Sequence, residues 1–292
     1  MLKGSMVAIV TPFKNEQVDE KKLGELVEFH IKNGTSAILP CGTTGESPTL
    51  TPKEHERVIE VCIEASNKRI PILAGTGSNS TAEAIELTKH AAEAGADASL
   101  QVTPYYNKPM QEGLYQHFKA VAESVKIPII LYNIEGRTAR NIEPTTIARL
   151  AKDCKNIIGV KEASGSLDQT SAIRLLCPKD FLIFSGDDAL TLPTMAVGGI
   201  GVISVIANIL PKETANLCAA MEKGDLKTAQ DIHYKLLPLI KAMFIETNPA
   251  PIKTAMGILG MCSDELRLPL SPMTAENVDK LKTALRNYGL LK

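Results

Sequence analysis

The chain has 292 residues, 44% of them hydrophobic, with 32 basic and 33 acidic side chains for a formal charge of -1. That size suits one large domain, or a large domain with a small appendage, around a full core. Charges of both signs are interspersed, so neither a nucleic-acid partner nor a membrane surface is expected.

The opening Met1-Leu2-Lys3-Gly4-Ser5-Met6 leads into an apolar run at 6–10. The run is too short for a signal-peptide core or a spanning helix, so a cytoplasmic location is expected. Further short, β-rich apolar runs follow at 37–39, 70–74, 98–102, 127–132, 157–161, 181–185 and 201–205. Amphipathic stretches such as 20–33, 52–67, 81–94, 111–125 and 144–152 lie between them. Thr51-Pro52-Lys53-Glu54 has the form of a helix start, with an N-cap threonine, proline at the first helical position and acid in the first turn. Gly95, after Ala94, reads as a helix stop.

Eight continuously apolar strands imply burial on both faces, hence a parallel sheet covered by helices. Eight such units favour a closed (β/α)8 TIM barrel over an open doubly wound sheet. No Gly-x-Gly-x-x-Gly follows the first strand, which disfavours a dinucleotide-binding fold. The alternation stops near residue 224. Residues 226–244, 251–259 and 274–288 then read as three successive helices. The expected division is a catalytic barrel at 1–224 and a small C-terminal three-helix domain at 225–292. No Ser/Gly-rich linker separates them, so the second should dock firmly on the first.

Cysteines at 41, 62, 154, 177, 218 and 262 have no metal-knuckle spacing, and histidines at 30, 55, 90, 117 and 233 form no His-x-His or His-Glu-x-x-His pattern. Six free thiols, mostly buried, and no metal are expected.

Barrels of this kind carry their chemistry at the C-terminal ends of the strands. That rule selects the loop from Cys41 to Glu46, the run from Thr103 to Asn107, Tyr132-Asn133, Lys161-Glu162 and Ser185-Gly186-Asp187-Asp188. Lys161 is the sharpest signal, since lysine is seldom buried without a reason. Desolvation lowers its pKa and frees a neutral amine for attack on a ketone. The competing structural reading is a salt bridge, to Glu162 or to an acid on a neighbouring strand. Tyr132 stands at the equivalent point one strand earlier and can relay protons to the lysine; alternatively it is a core tyrosine. Thr43 and Thr44 offer hydroxyls and backbone N–H groups to a carboxylate, with Gly42 and Gly45 allowing close approach. Arg137 can grip a carboxylate bidentately, or be a solvated surface side chain.

These residues lie in longer motifs that resemble the dihydrodipicolinate synthase family: Val7-Ala8-Ile9-Val10-Thr11-Pro12-Phe13, Gly42-Thr43-Thr44-Gly45-Glu46, the run from Val102 to Pro109, and Gly159-Val160-Lys161-Glu162-Ala163. The resemblance runs from the N-terminus to the final helices. It implies a lyase that condenses pyruvate with aspartate semialdehyde, the first committed step of the diaminopimelate route to lysine. A homotetramer, arranged as a dimer of dimers, is implied, with no cofactor beyond an imine of pyruvate on Lys161. Carried over residue by residue, Tyr132 is the proton donor and acceptor, and Thr43 and Tyr106 complete its relay. Tyr106 would be supplied by a neighbouring subunit. Thr44 and the backbone at Ile203 would hold pyruvate, Arg137 the carboxylate of the semialdehyde, and Gly186 would keep the wall beside the imine open. Ser47, His55, Asn79, Glu83 and Tyr105 match an inhibitory lysine site between subunits, although Pro48 and Pro52 depart from some inhibited members.

One departure touches the active site. Where the family usually has proline in the loop after the fifth strand, this chain reads Asn133-Ile134-Glu135-Gly136-Arg137-Thr138. Glu135 is expected to loosen that loop, to compete for Arg137 and to weaken binding of the semialdehyde. Related readings are an N-acetylneuraminate lyase or a 2-keto-3-deoxy-sugar acid aldolase, disfavoured by Tyr105-Tyr106-Asn107-Lys108-Pro109 with Arg137. A catalytically silent pyruvate- or lysine-sensing barrel is a third.

Overall fold

A computed structural model describes residues 2–292. Eight parallel strands form the centre: β1 (Gly4–Ala8), β2 (Ala37–Leu39), β3 (Leu73–Gly75), β4 (Ala98–Val102), β5 (Ile129–Asn133), β6 (Ile157–Glu162), β7 (Leu182–Ser185) and β8 (Gly201–Ser204). They hydrogen-bond in the order β2-β1-β8-β7-β6-β5-β4-β3. A parallel bridge between Ile38 and Ile72 joins the two ends of that series and closes the barrel. Parallel strands need crossovers, and the amphipathic helices supply them. These are α1 (Glu20–Lys32), α2 (Pro52–Ser66), α3 (Thr81–Ala94), α4 (Gln111–Ser124), the one-turn α5 (Glu135–Thr138), α6 (Pro144–Asp153), α7 (Leu167–Leu176), α8 (Thr191–Ala196) and α9 (Pro211–Glu222).

Local sequence explains the boundaries. Thr51 caps α2 in a full capping box with Glu54, and Pro52 occupies the first turn, where its missing N–H costs nothing. Gly95 ends α3 at a φ of 101°, in the left-handed region that glycine adopts without strain. Strand bounds shift by a few residues from the predicted runs: the first begins and ends two residues earlier, and the third begins three residues later and ends one later, at Leu73–Gly75. Apolar character extends past a strand's hydrogen-bonded ladder into the buried residues on either side, so composition alone misplaces these ends.

Met6, Leu39, Leu73, Leu100, Ile130 and Phe184 fill the barrel interior together with Tyr132 and Ile203. A larger cluster lies outside the strands and mixes barrel residues such as Val7, Ile9 and Val27 with residues from beyond 224. Those later residues belong to α10 (Leu226–Ala242), α11 (Ala250–Ile258) and α12 (Ala275–Tyr288), which contribute Leu239, Ala255 and Leu281. The three C-terminal helices therefore share one continuous apolar core with the barrel's helical shell, which fixes their placement. Among the described residues no helix is long and apolar enough to cross a membrane. All six cysteines are free thiols; five are buried and Cys262 is half-buried.

Candidate active site

Tyr132 and Lys161 are directly paired across the β5–β6 ladder. Residues opposite one another in adjacent parallel strands point to the same face, so both side chains enter the barrel. Lys161 is 5% exposed, and its Nζ lies 4.4 Å from the centre of the Tyr132 ring. Burial, with help from the Arg137 charge, lowers the Lys161 pKa to about 8, while the Asp188 carboxylate opposes the fall. The amine is thus substantially neutral at a pH where an exposed lysine is fully charged. Burial pushes the Tyr132 phenol up to about 12, and the Thr43 hydroxyl beside it works against the rise.

Glu162 does not partner the lysine. Successive strand residues face opposite sides, and Glu162 points outward into a network of neutral donors. Asn133 Nδ2 donates to both its oxygens at 3.3 and 3.1 Å, Gln169 Nε2 donates at 2.8 Å, and the Ser164 N–H donates at 2.6 Å. The structural salt bridge that the sequence allowed as an alternative for Lys161 is therefore not made with Glu162.

Gly186 follows β7 and forms the wall beside the lysine. A Cβ there would lie 2.6 Å from Ala163 Cβ and 3.1 Å from Lys161 Cε. Ile203 is buried in β8 on the interior face. Just beyond it, Asp188 accepts the N–H groups of Val205 and Ile206 at 2.9 and 3.0 Å, fixing the turn that ends β8. Burial pushes the Asp188 carboxyl upward.

Thr44 is buried, and its hydroxyl accepts from Asn248 Nδ2 at 3.1 Å. A hydroxyl that accepts in this way keeps its own proton free to donate elsewhere. The carbonyl of the same Asn248 accepts from Arg137 Nη2 at 3.0 Å. Asn248, in the turn just before α11, thus touches two predicted site residues at once. Sequence reasoning passed over it, because the chemistry-bearing positions were sought only at strand ends and Asn248 arrives from the C-terminal segment.

The loop of Arg137 differs from expectation. Residues 135–138 form the turn of α5, with the N–H groups of Arg137 and Thr138 bonding back to the Ile134 carbonyl at 3.0 and 3.1 Å. Glu135 is exposed in the first turn, where an acid suits the helix dipole, and Arg137 turns to Asn248 instead of to Glu135. Arg137 is not sequestered by its neighbour.

A cavity of about 490 Å³ is lined by Thr43, Tyr132 and Arg137 together with Ser47, His55, Glu83 and Tyr105, whereas Lys161, Thr44, Gly186 and Ile203 are not part of its wall. His55 is held neutral, its pKa lowered to about 4 by burial, with Nδ1 lacking a partner. Asn79 lies outside the cavity wall, where its carbonyl accepts from Asn107 Nδ2 at 2.8 Å. Tyr106 is not brought to this site by its own chain. It stands 89% exposed on a backbone at φ 68°, a left-handed conformation that a tyrosine adopts only when its surroundings impose it.

The model of the family described as "Dihydrodipicolinate synthetase family" matches residues 1–288. The chain belongs to the dihydrodipicolinate synthetase family. It is 59% identical over 292 residues to the 4-hydroxy-tetrahydrodipicolinate synthase of Endomicrobium trichonymphae, with the whole of both chains covered. Two solved members of the family superpose on it along nearly their full length. The chloride-inhibited enzyme from Acinetobacter baumannii, complexed with pyruvate, matches at a TM-score of 0.97 and 46% identity, with 100% of each chain covered. The enzyme from Cyanidioschyzon merolae with lysine bound matches at 0.97 and 42%, with 99% of each covered.

Proposed function

We propose that this chain is a lyase that condenses pyruvate with L-aspartate 4-semialdehyde to 4-hydroxy-tetrahydrodipicolinate, the committed step towards lysine through diaminopimelate. The observation that carries this reading is a buried, depressed-pKa lysine facing a tyrosine inside a parallel barrel, with a glycine clearing the space beside it.

The neutral Lys161 amine attacks the ketone carbon of pyruvate, and loss of one water leaves an imine; no other cofactor takes part. The Thr44 hydroxyl and the backbone at Ile203 hold the pyruvate carboxylate. Removal of a methyl proton from the imine gives an enamine, whose carbon forms the new bond to the aldehyde of the second substrate; the amino group of that substrate then attacks the imine carbon, closing the ring and expelling the Lys161 amine. Tyr132 carries these protons, with Thr43 as the next member of the relay and Tyr106 of another copy as the third. Proton transfer of this kind contributes roughly 10²–10⁴ in rate. Arg137, held ready by the Asn248 carbonyl, receives the semialdehyde carboxylate.

The exposure of Tyr106 supports a homo-oligomeric catalytic unit, and a tetramer built as a dimer of dimers is the proposed assembly. The unit at 1–224 carries the chemistry, and the helical unit at 225–292 braces it. Ser47, His55, Glu83 and Tyr105, with Asn79 at the margin, make a site for inhibitory lysine; Glu83 would meet the ligand ammonium. A cytoplasmic location fits a biosynthetic lyase.

Turnover with both substrates, followed as pyruvate-dependent consumption of aspartate semialdehyde, tests the reading. Cleavage of N-acetylneuraminate or a 2-keto-3-deoxy-sugar acid in its place would assign the barrel to the sugar-acid aldolases. Binding without turnover would leave a sensor.

A further inference from the structure

The loop from Gly42 to Glu46 carries Thr43 and Thr44, and what fixes its far end lies 207 residues away in sequence. Glu46 is fully buried at φ 53°, in the left-handed region, and its Oε1 meets Lys253 Nζ at 2.7 Å. Neither side chain of this pair has any exposure to solvent. Lys253 Nζ also donates to the Thr11 carbonyl at 3.0 Å, and the Thr11 hydroxyl donates to the Gly45 carbonyl at 2.7 Å. The other Glu46 oxygen accepts the Arg267 N–H at 3.2 Å. The Phe13 ring lies 4.2 Å from Lys253 Nζ and 4.4 Å from the Arg267 guanidinium. Both bonds of the Lys253 ammonium thus end on the loop or on the strand turn beside it.

A fully buried ion pair is poor evidence for stability, because desolvating two charges offsets most of their attraction, and an apolar pair of the same volume often serves as well. What such a pair can supply is a single allowed arrangement. We propose that Glu46 and Lys253 are positioning residues for the condensation: the buried pair ties α11 to the loop and thereby sets Thr43 against the Tyr132 phenol. Lys161, on β6, and Arg137, in α5, make no bond to either member of the pair, so the displacement expected on its loss centres on the loop. The inference rests on the reaction proposed above.

The test compares Glu46→Gln, which preserves volume and removes one charge, with the double variant Glu46→Gln/Lys253→Met, which leaves no unpaired charge. Three readouts are needed: thermal midpoint, steady-state constants for both substrates, and borohydride trapping of pyruvate. Both variants should fall in kcat by between about tenfold and about 10²-fold, the scale of a small misplacement remote from the chemistry. KM for aspartate semialdehyde should stay within about twofold. The trapped adduct should still reach full occupancy, but more slowly. The double variant should regain thermal midpoint relative to Glu46→Gln without regaining kcat. A double variant that recovers stability and kcat together would show the pair to be structural only and overturn the proposal. Parental kcat in Glu46→Gln would do the same, and decides the matter by itself should the double variant not fold. Absence of any pyruvate adduct in the parent would instead sink the proposed reaction, whatever the pair does.

Discussion

Tyr132 and Lys161 face each other across adjacent strands, with the lysine Nζ 4.4 Å from the centre of the tyrosine ring. The pairing places an amine with its pKa lowered to about 8 against a phenol pushed up to about 12. The amine loses its proton first, so the nucleophile becomes available while the phenol still has a proton to give. Two groups driven apart in this way suit the nucleophile and proton-donor roles proposed for them.

The rate of pyruvate trapping by borohydride should rise with pH through about 8 and fall below it, because only the neutral amine attacks. Arg137 lowers the Lys161 pKa and Asp188 raises it. Arg137→Met should therefore move this limb to higher pH and Asp188→Asn to lower pH. A limb that stays in place in both variants contradicts the assignment of the limb to Lys161.

Gly186→Ala should abolish adduct formation. The new methyl would stand 2.6 Å from Ala163 Cβ and 3.1 Å from Lys161 Cε, so either the wall or the lysine must give way. Overpacking of this sort costs about 1–3 kcal/mol. Thermal unfolding and intact mass together check it: a modestly lowered midpoint with no adduct is expected, and full labelling would show that the space is not needed.

Asn248→Ala removes the donor to Thr44 but leaves the main-chain carbonyl that holds Arg137. Loss of one such bond is worth about 1 kcal/mol, so KM for pyruvate should rise roughly fivefold. KM for aspartate semialdehyde should change much less. Equal rises in both would mean that the whole C-terminal segment shifts.

Much of this was legible in the sequence, for identifiable reasons. Continuous apolar runs at regular spacing imply strands covered on both faces, and Thr51, Pro52 and Gly95 punctuate the helices where local chemistry requires. Lys161, Tyr132 and Gly186 were visible because a barrel collects its chemistry at strand ends, a rule that needs only strand positions. Asn248 and Lys253 were not, since each acts on a loop about two hundred residues away and nothing local marks them. Glu135 misled for a related reason. Proximity in sequence suggested a pair with Arg137, whereas the turn of α5 directs Arg137 to Asn248 and leaves Glu135 in solvent.

Glu135→Pro should accordingly leave both Michaelis constants unchanged within about twofold. Glu135 is the first residue of α5, where proline's fixed φ fits and its missing N–H is not required. A marked fall in KM for aspartate semialdehyde would restore a role for the carboxylate as a competitor of substrate.

The most direct measurement is intact mass after borohydride reduction in the presence of pyruvate, on the natural chain and on Lys161→Ala. One reduced pyruvyl group per chain, absent from the variant, is the expected result and would place the imine on Lys161. A folded natural chain that gains no mass, or a Lys161→Ala chain that gains it equally, would contradict Schiff-base chemistry at this residue.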